Sequence, residues 1–422
     1  MIGGNITDIS EQNGLDLITR YWFQDSKKIH DKGGEFIFVG DVHGDLHQFM
    51  APLVRSKLIT LTGKLTTING VPVPYYNINK GLHVKIIYLG DIVNEWLFSR
   101  TIVVMLHDLL DHVPENVYYI YGNHDTSLIG RYHLFTSNKL NLYEDIPTSW
   151  TTLKRSLCNV KEIKFVKSKV YYNDNEQEGQ TYVREYLKPV FDALYNIFAK
   201  RLGHICLAIE IKGKPYMLTH TTWTIRAVKE LIGLDDSRTG SRPSDLDPSQ
   251  RLPLLPNPPD VSNDIHHIKT LIENVSSIDY AKFAKYVDNV YHTKSRLFIS
   301  NNSLISSRSL NGIFMNQIVG HSMPNEFRDI GVNVGDAITN NERKQKLKPY
   351  QHPNGCLIYY FDFGCSAGYN HDEISRPDFV YSTPSGMFVS NLPGFSFVDI
   401  NGKDSLLILT NKTVRGDKIQ FN

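Results

Sequence analysis

Apolar residues along the chain gather into short runs, and each run stops at a polar residue of a restricted kind. The run EFIFVG (35–40) stops at Asp41, HVKIIYLG (83–90) at Asp91, and NVYYIYG (116–122) at Asn123 and His124. Further on, KPYMLT (214–219) stops at His220 and NQIVG (316–320) at His321. Short runs of this composition predict strands. Between the first three, Leu46, Phe49, Met50, Leu53 and Val54 recur at helical spacing, and Leu97, Ile102, Val103, Leu106 and Leu109 predict a helix over 97–111. Strand alternating with helix predicts an α/β fold whose sheet is covered by helices. Ligands of such sheets bind beyond the carboxyl ends of the strands, which is where all the polar stops fall.

The remaining segments are read from the same pattern. LDLITRYWF (15–23) predicts one helix packed on the outside, giving an N-terminal helical extension over 1–32 and a main domain over 33–422 with inserts near 130–200 and 235–300. Residues 168–182, polar in the middle, predict an irregular excursion on an insert. Six prolines within 238–264 exclude a helix or inner strand there and leave a linker or a loop over the site. After His321, segments 355–364, 386–390 and 405–410 predict strands completing a second sheet.

Composition narrows the class. With 422 residues, 41% hydrophobic and 21% charged, the chain can bury a sizeable core. A net charge of +1 provides no global field for nucleic acid or membrane. The four cysteines, Cys158, Cys206, Cys356 and Cys365, form no CxxC pair, which argues against a zinc ribbon and a disulfide scaffold and suggests buried free thiols in a reducing compartment. No apolar run reaches membrane-spanning length, and the N-terminus lacks the basic flank and apolar run of a signal peptide. A soluble, cytoplasmic or otherwise intracellular protein is expected, with no membrane partner. Abundant Asn, Ile, Lys and Tyr suggest an AT-rich genome such as that of a large DNA virus.

Collected in order, the polar stops are Asp41-x-His43, Asp91, Asn123-His124, His220 and His321. Oxygen and nitrogen donors without thiolate suit a divalent first-row cation, manganese before iron or zinc. Seven positions exceed what one ion needs and suggest two, with Asp91 shared. Two cations would outweigh Asp41, Asp91 and a hydroxide, leaving a site attractive to phosphate. A water between metals about 3.5–4 Å apart would lose a proton near neutral pH and become an in-line nucleophile. His124 is kept apart from the metal set, as the group that protonates the leaving oxygen or stabilises transition-state charge. Taken alone, Asp-Val-His-Gly after a strand also reads as a turn in which Asp41 or Asp45 caps the next helix. His204, His266, His267, His292, His352 and His371 read as surface or core histidines.

The ordered blocks Gly40-Asp41-Val42-His43-Gly44, Gly90-Asp91-Ile92-Val93 and Gly122-Asn123-His124-Asp125, followed by His220 and Gly320-His321, resemble those of the calcineurin-like metallophosphoesterases, specifically the phosphoprotein phosphatase branch. The resemblance covers roughly residues 33–365. It implies a two-sheet α/β sandwich flanked by helices with a dinuclear centre at its edge. Asp41, His43 and Asp91 would hold the first metal, and Asp91, Asn123, His220 and His321 the second. The implied activity is hydrolysis of phosphate esters by a metal-bridging hydroxide.

The chain departs from the family at Asn94-Glu95-Trp96. There the family places an Asp that orients the acid histidine and an Arg that grips phosphate. Asn94 can accept a hydrogen bond from His124 without the charge of a carboxylate. Glu95 repels a phosphate unless it faces away and Arg100, Arg131, Arg238, Arg242 or Arg251 substitutes. His220 also lacks the Gly-Gly that often follows this histidine in protein phosphatases. Asp125, and the missing orienting Asp, lean toward the symmetrical diadenosine tetraphosphate hydrolases and relatives acting on capped RNA. Expected substrates are therefore a phosphorylated protein, a dinucleoside polyphosphate or an RNA end, with Tyr75, Tyr76 and Tyr132 as candidate base-stacking groups. The competing expectation is an interaction scaffold whose catalysis has decayed.

Overall fold

The structure, a computed structural model, describes residues 15–16, 19–20, 23, 36–93, 98–142, 157, 160–167, 169–211, 214–223, 315–321, 350–352, 355–360, 380–383, 386–389, 394–398 and 404–408. Asn94, Glu95, the segment 238–264 and its three arginines lie outside the described residues, as do His266, His267, His292 and His371.

The fold is mixed α/β, with two five-stranded sheets. In the first, β1 (Phe36–Val39), β4 (Lys85–Tyr88) and β5 (Val117–Tyr119) run parallel in that order. Antiparallel β15 (Gly394–Val398) and β16 (Asp404–Ile408) extend the other side of β1. The second sheet has the order β11 (Tyr350–Gln351), β12 (Leu357–Tyr360), β10 (Asn316–Val319), β9 (Lys214–Thr219) and β8 (Cys206–Ile211). Its three middle strands are parallel.

Strand alternation sorts the side chains of the first sheet into two cores. Phe36 and Phe38 join Ile87, Leu89 and Ile120 in an apolar cluster with Tyr216, Leu218 and Ile318 of the second sheet. Ile37 and Val39 face the opposite way, into a larger core shared with the helices. α1 (Leu46–Arg55) contributes Phe49, Met50 and Leu53 to it, and α2 (Ser99–His112) contributes Ile102, Val103 and Leu106. The first sheet is thus covered on both faces, as its near-continuous apolar strands require.

Several expectations are corrected. Between α1 and β4 stands an unforeseen hairpin, β2 (Ile59–Ile68) and β3 (Val71–Ile78), turning at Asn69-Gly70 with both residues at positive φ. Alternating residues closed by Asn-Gly are a strong hairpin signal. Tyr76 anchors it to α2 by donating from its hydroxyl to Asp108 Oδ2 at 2.6 Å. The 168–182 segment is regular rather than an excursion. β7 (Lys169–Tyr172) pairs with β6 (Ile163–Val166), and α5 (Glu176–Ala199) begins beyond it. Asn175 caps α5 by accepting from the backbone N–H groups of Gln177 and Glu178. Two further short helices, α3 (Asn123–Gly130) and α4 (Tyr132–Thr136), precede this insert.

The C-terminal segments do not all complete the second sheet. Of the three expected segments, 355–364 supplies β12, which joins it; β14 (Gly386–Val389) pairs with β13 (Val380–Thr383), and β16 enters the first sheet through β15. The parts of 15–23 that are described are helical, and Leu15 is buried in the helix-side core. No helix among the described residues is long and apolar enough to cross a membrane.

Candidate metal centre

At the carboxyl ends of β1, β4, β5, β9 and β10 the chain turns sharply, and the polar stops come together. His43, Asp91 and His321 have φ of 47°, 47° and 56°, a left-handed conformation that costs an L-residue roughly 1–2 kcal/mol. Such strain persists where surrounding bonds over-determine it. Here Val42 and His43 donate their N–H groups to the Asp91 carbonyl, and Gly44 donates to that of Ile92.

Two groups of side chains each present ligand atoms within 4.8 Å of one another: Asp41, Asp91, His220 and His321, and His43, Asp91 and His124. Asp91 belongs to both. Its Oδ1 accepts the His124 backbone N–H at 2.9 Å. Its Oδ2 lies 3.4 Å from His220 Nε2, 3.8 Å from His43 Nε2 and 4.0 Å from His124 Nε2. Asp41 is used in the same way, with Oδ1 accepting the His321 N–H at 2.8 Å and Oδ2 standing 3.6 Å from His43 Nε2. Asn123 joins the first group, its Oδ1 lying 3.0 Å from His220 Nε2. The His220 ring is fixed by the N–H it donates from Nδ1 to the Leu89 carbonyl at 2.8 Å. Such a bond to the second nitrogen is how metal-ligating histidines are oriented.

The residues fit a metal. Ligands at about 2.0–2.2 Å from a common ion stand roughly 3–3.5 Å from each other, and carboxylate with imidazole suits hard to borderline divalent cations. The seven polar stops, Asp41, His43, Asp91, Asn123, His124, His220 and His321, gather here, whereas Asn94, also expected at the site, lies outside the described residues. Asp41 lies near both groups, with Oδ2 3.6 Å from His43 Nε2 and Oδ1 3.8 Å from His220 Nδ1. The side chains of Asp41, His43, Asp91 and His220 are 4% exposed or less, whereas that of His124 is 21% exposed and lies at the rim.

Glycines make these approaches possible. A Cβ on Gly122 would stand 2.1 Å from Asp91 Oδ1, one on Gly90 2.4 Å from His220 Nδ1, and one on Gly320 2.6 Å from Asp41 Oδ1. Each of these three glycines therefore vacates space occupied by a ligand from another strand.

The buried groups shift one another's protonation. Burial works to raise the Asp91 pKa, but His220, His124 and His43 overcome it and hold the carboxyl well below its ordinary range. Burial works to lower His220, yet Asp91 and Asp41 push it up to about 9. Burial lowers both His124 and His321 to about 4. Burial and the neighbouring Asp91 charge raise Asp125 to about 6.

Two arginines considered as phosphate grips have other positions. Arg131 donates to the Ser127 carbonyl and hydroxyl at the far end of α3, and the Arg100 guanidinium lies 4.0 Å from the centre of the Tyr186 ring. Tyr132 stacks on Tyr195 at 3.9 Å, while Tyr75 is 47% exposed. Sequence reasoning used Asp125 only as a mark of resemblance and missed its bonding role: its carboxylate accepts from Ile92, Val93 and Gly122 around the ligands. Its only signal was its place after Asn123-His124. Compared with known proteins, the chain matches no family model and no curated sequence.

Proposed function

We propose that the chain is a metal-dependent phosphoesterase with the two-sheet fold of the calcineurin-like metallophosphoesterases. The observation that carries this reading is the sharing of Asp91 by two buried groups of carboxylate and imidazole donors. Asp41, His43, Asp91, Asn123, His220 and His321 would hold two divalent cations, manganese first and iron or zinc as alternatives. Bound there, the cations would neutralise phosphate charge and make water nucleophilic near neutral pH.

The chain's own groups supply the rest. Leu89 fixes the His220 ring, the His124 backbone N–H fixes Asp91, and the His321 N–H fixes Asp41, so the donors are preorganised. His124, at the exposed rim, donates a hydrogen bond or proton to the leaving oxygen. Asn94 would orient it. The substrate is a phosphate ester of a phosphoprotein, a dinucleoside polyphosphate or an RNA end.

The test is turnover by the purified chain with manganese, offered a phosphopeptide, diadenosine tetraphosphate and capped RNA across pH 5–9. Metal-dependent release of phosphate or nucleotide from one of them is expected, and its abolition in H124A assigns the rim histidine. No turnover of any would sink the enzyme reading. Glu95 favours a second reading, a scaffold that keeps its metals, which two bound cations without turnover would support.

A further inference from the structure

We infer that Asp125 is a positioning residue that sets the spacing between the ligand loops following β4 and β5; this rests on the metal-centre reading above. The parallel pairing of these strands ends at Tyr88 with Tyr119. Beyond it the chain turns through Asp91 at φ 47°, and the backbone ladder cannot continue. A pair of carboxylates continues it instead. Asp91 Oδ1, from the first loop, accepts the N–H of His124 in the second at 2.9 Å. Asp125, from the second, accepts Ile92 N–H at 3.0 Å and Val93 N–H at 3.3 Å on Oδ1, and Gly122 N–H at 3.0 Å on Oδ2.

The clasp is reciprocal. It brackets every ligand of the two loops, since Ile92 and Val93 follow Asp91 while Gly122 precedes Asn123. Its carboxylate is completely buried, so no water replaces those acceptors. The glycine at the crossing point, where a Cβ would stand 2.1 Å from Asp91 Oδ1, shows how closely the loops are drawn together. An amide at position 125 would present N–H₂ to at least one backbone donor, opening one side of the clasp.

The test is Mn2+ binding to the full chain by titration calorimetry, alongside thermal melting in EDTA, for native protein, D125N, D125E and I102V. I102V, a core change on α2, matches loss of stability without touching the loops. D125N is expected to weaken Mn2+ binding by roughly 10–100-fold, the usual cost of losing a group that orients ligands. D125E keeps both oxygens but displaces them by a methylene, and is expected to weaken it by less than D125N, with I102V at native affinity. Native affinity in D125N overturns the inference, as does a loss no greater than that of I102V. Where D125N does not fold, native affinity in D125E overturns it. A native chain that binds no divalent cation overturns the metal reading and this inference together, whereas a native chain that binds with D125N unaffected overturns this inference alone.

Discussion

Replacing Gly122 with alanine tests whether the glycines before the ligands exist to admit a neighbour rather than to supply a turn. Gly122 has φ −93° and ψ 175°, an extended conformation that alanine adopts without strain. Any effect of the substitution is therefore steric. The added Cβ would lie 2.1 Å from Asp91 Oδ1 and 2.2 Å from the Asp91 backbone nitrogen, and must open by roughly 0.9 Å to reach 3.0 Å, below which real Cβ contacts are essentially absent. A side chain could swing away, but a backbone nitrogen moves only with its loop. The loops bearing Asp91 and Asn123 would therefore part, at a cost of about 1–3 kcal/mol for overpacking. A displacement of this size in a ligand set should weaken Mn2+ binding on the order of 10–100-fold. The control is Gly81→Ala, where φ is +82° and nothing lies within 4 Å, so that only backbone strain is added. Calorimetric titration with Mn2+ and melting in EDTA separate the two effects: G122A loses affinity, whereas G81A loses only stability. Native Mn2+ affinity in G122A, or an equal loss in G81A, would refute the reasoning.

Asp91→Asn removes the one carboxylate common to both ligand groups, so affinity for Mn2+ should fall by about 100-fold or more; metal analysis showing native occupancy would contradict the shared role. His204, largely buried, is lowered by burial from its ordinary 6.5 to about 4. The unfolded chain therefore takes up the proton first. Its contribution is complete above about pH 6.5 and declines as pH falls toward 4, by roughly 3 kcal/mol in all. Urea denaturation of native protein and H204F at pH 7 and 4.5 measures this, and identical pH dependence in the two would exclude it. Asn175→Ala removes the side-chain acceptor for Gln177 and Glu178 at the start of α5 and should cost about 1 kcal/mol in the same assay; unchanged stability would show that the cap contributes nothing.

What could be read in the sequence followed from local rules. Strands announced themselves as apolar runs, and their polar stops marked the binding edge because open α/β sheets bind ligands there. Helix spacing located α1 and α2 for the same reason. The β2–β3 hairpin was equally legible at Asn69-Gly70 but was passed over in favour of strict strand–helix alternation. The polar stretch before α5 looked irregular because Asn175 and its neighbours cap a helix, and capping residues are those that also make loops. Other features were beyond local reading. β14 pairs only with its neighbour β13, and β16 reaches the first sheet only because β15 pairs with β1, a partnership no run of side chains encodes. Asp125 ties groups 32 and 33 positions away, so its role emerges only once β4 and β5 lie side by side. The glycine blocks were visible as a pattern, yet their reason was a side chain arriving from a different strand.

The bond from the His321 N–H to Asp41 Oδ1 joins positions 280 residues apart. Contacts so distant in sequence form late, because the entropy of closing the intervening chain must be met before they reward it. During synthesis the carboxylates near the N-terminal end emerge long before β10 and His321. A cation arriving early would meet an incomplete set of donors, so the full set would be available only once His321 has been made and β10 has joined β9. A bound ion would join the earliest strand to one of the later ones, and native chains with metal should unfold more slowly than those stripped of it. Metal occupancy would then act as a stamp of completed folding.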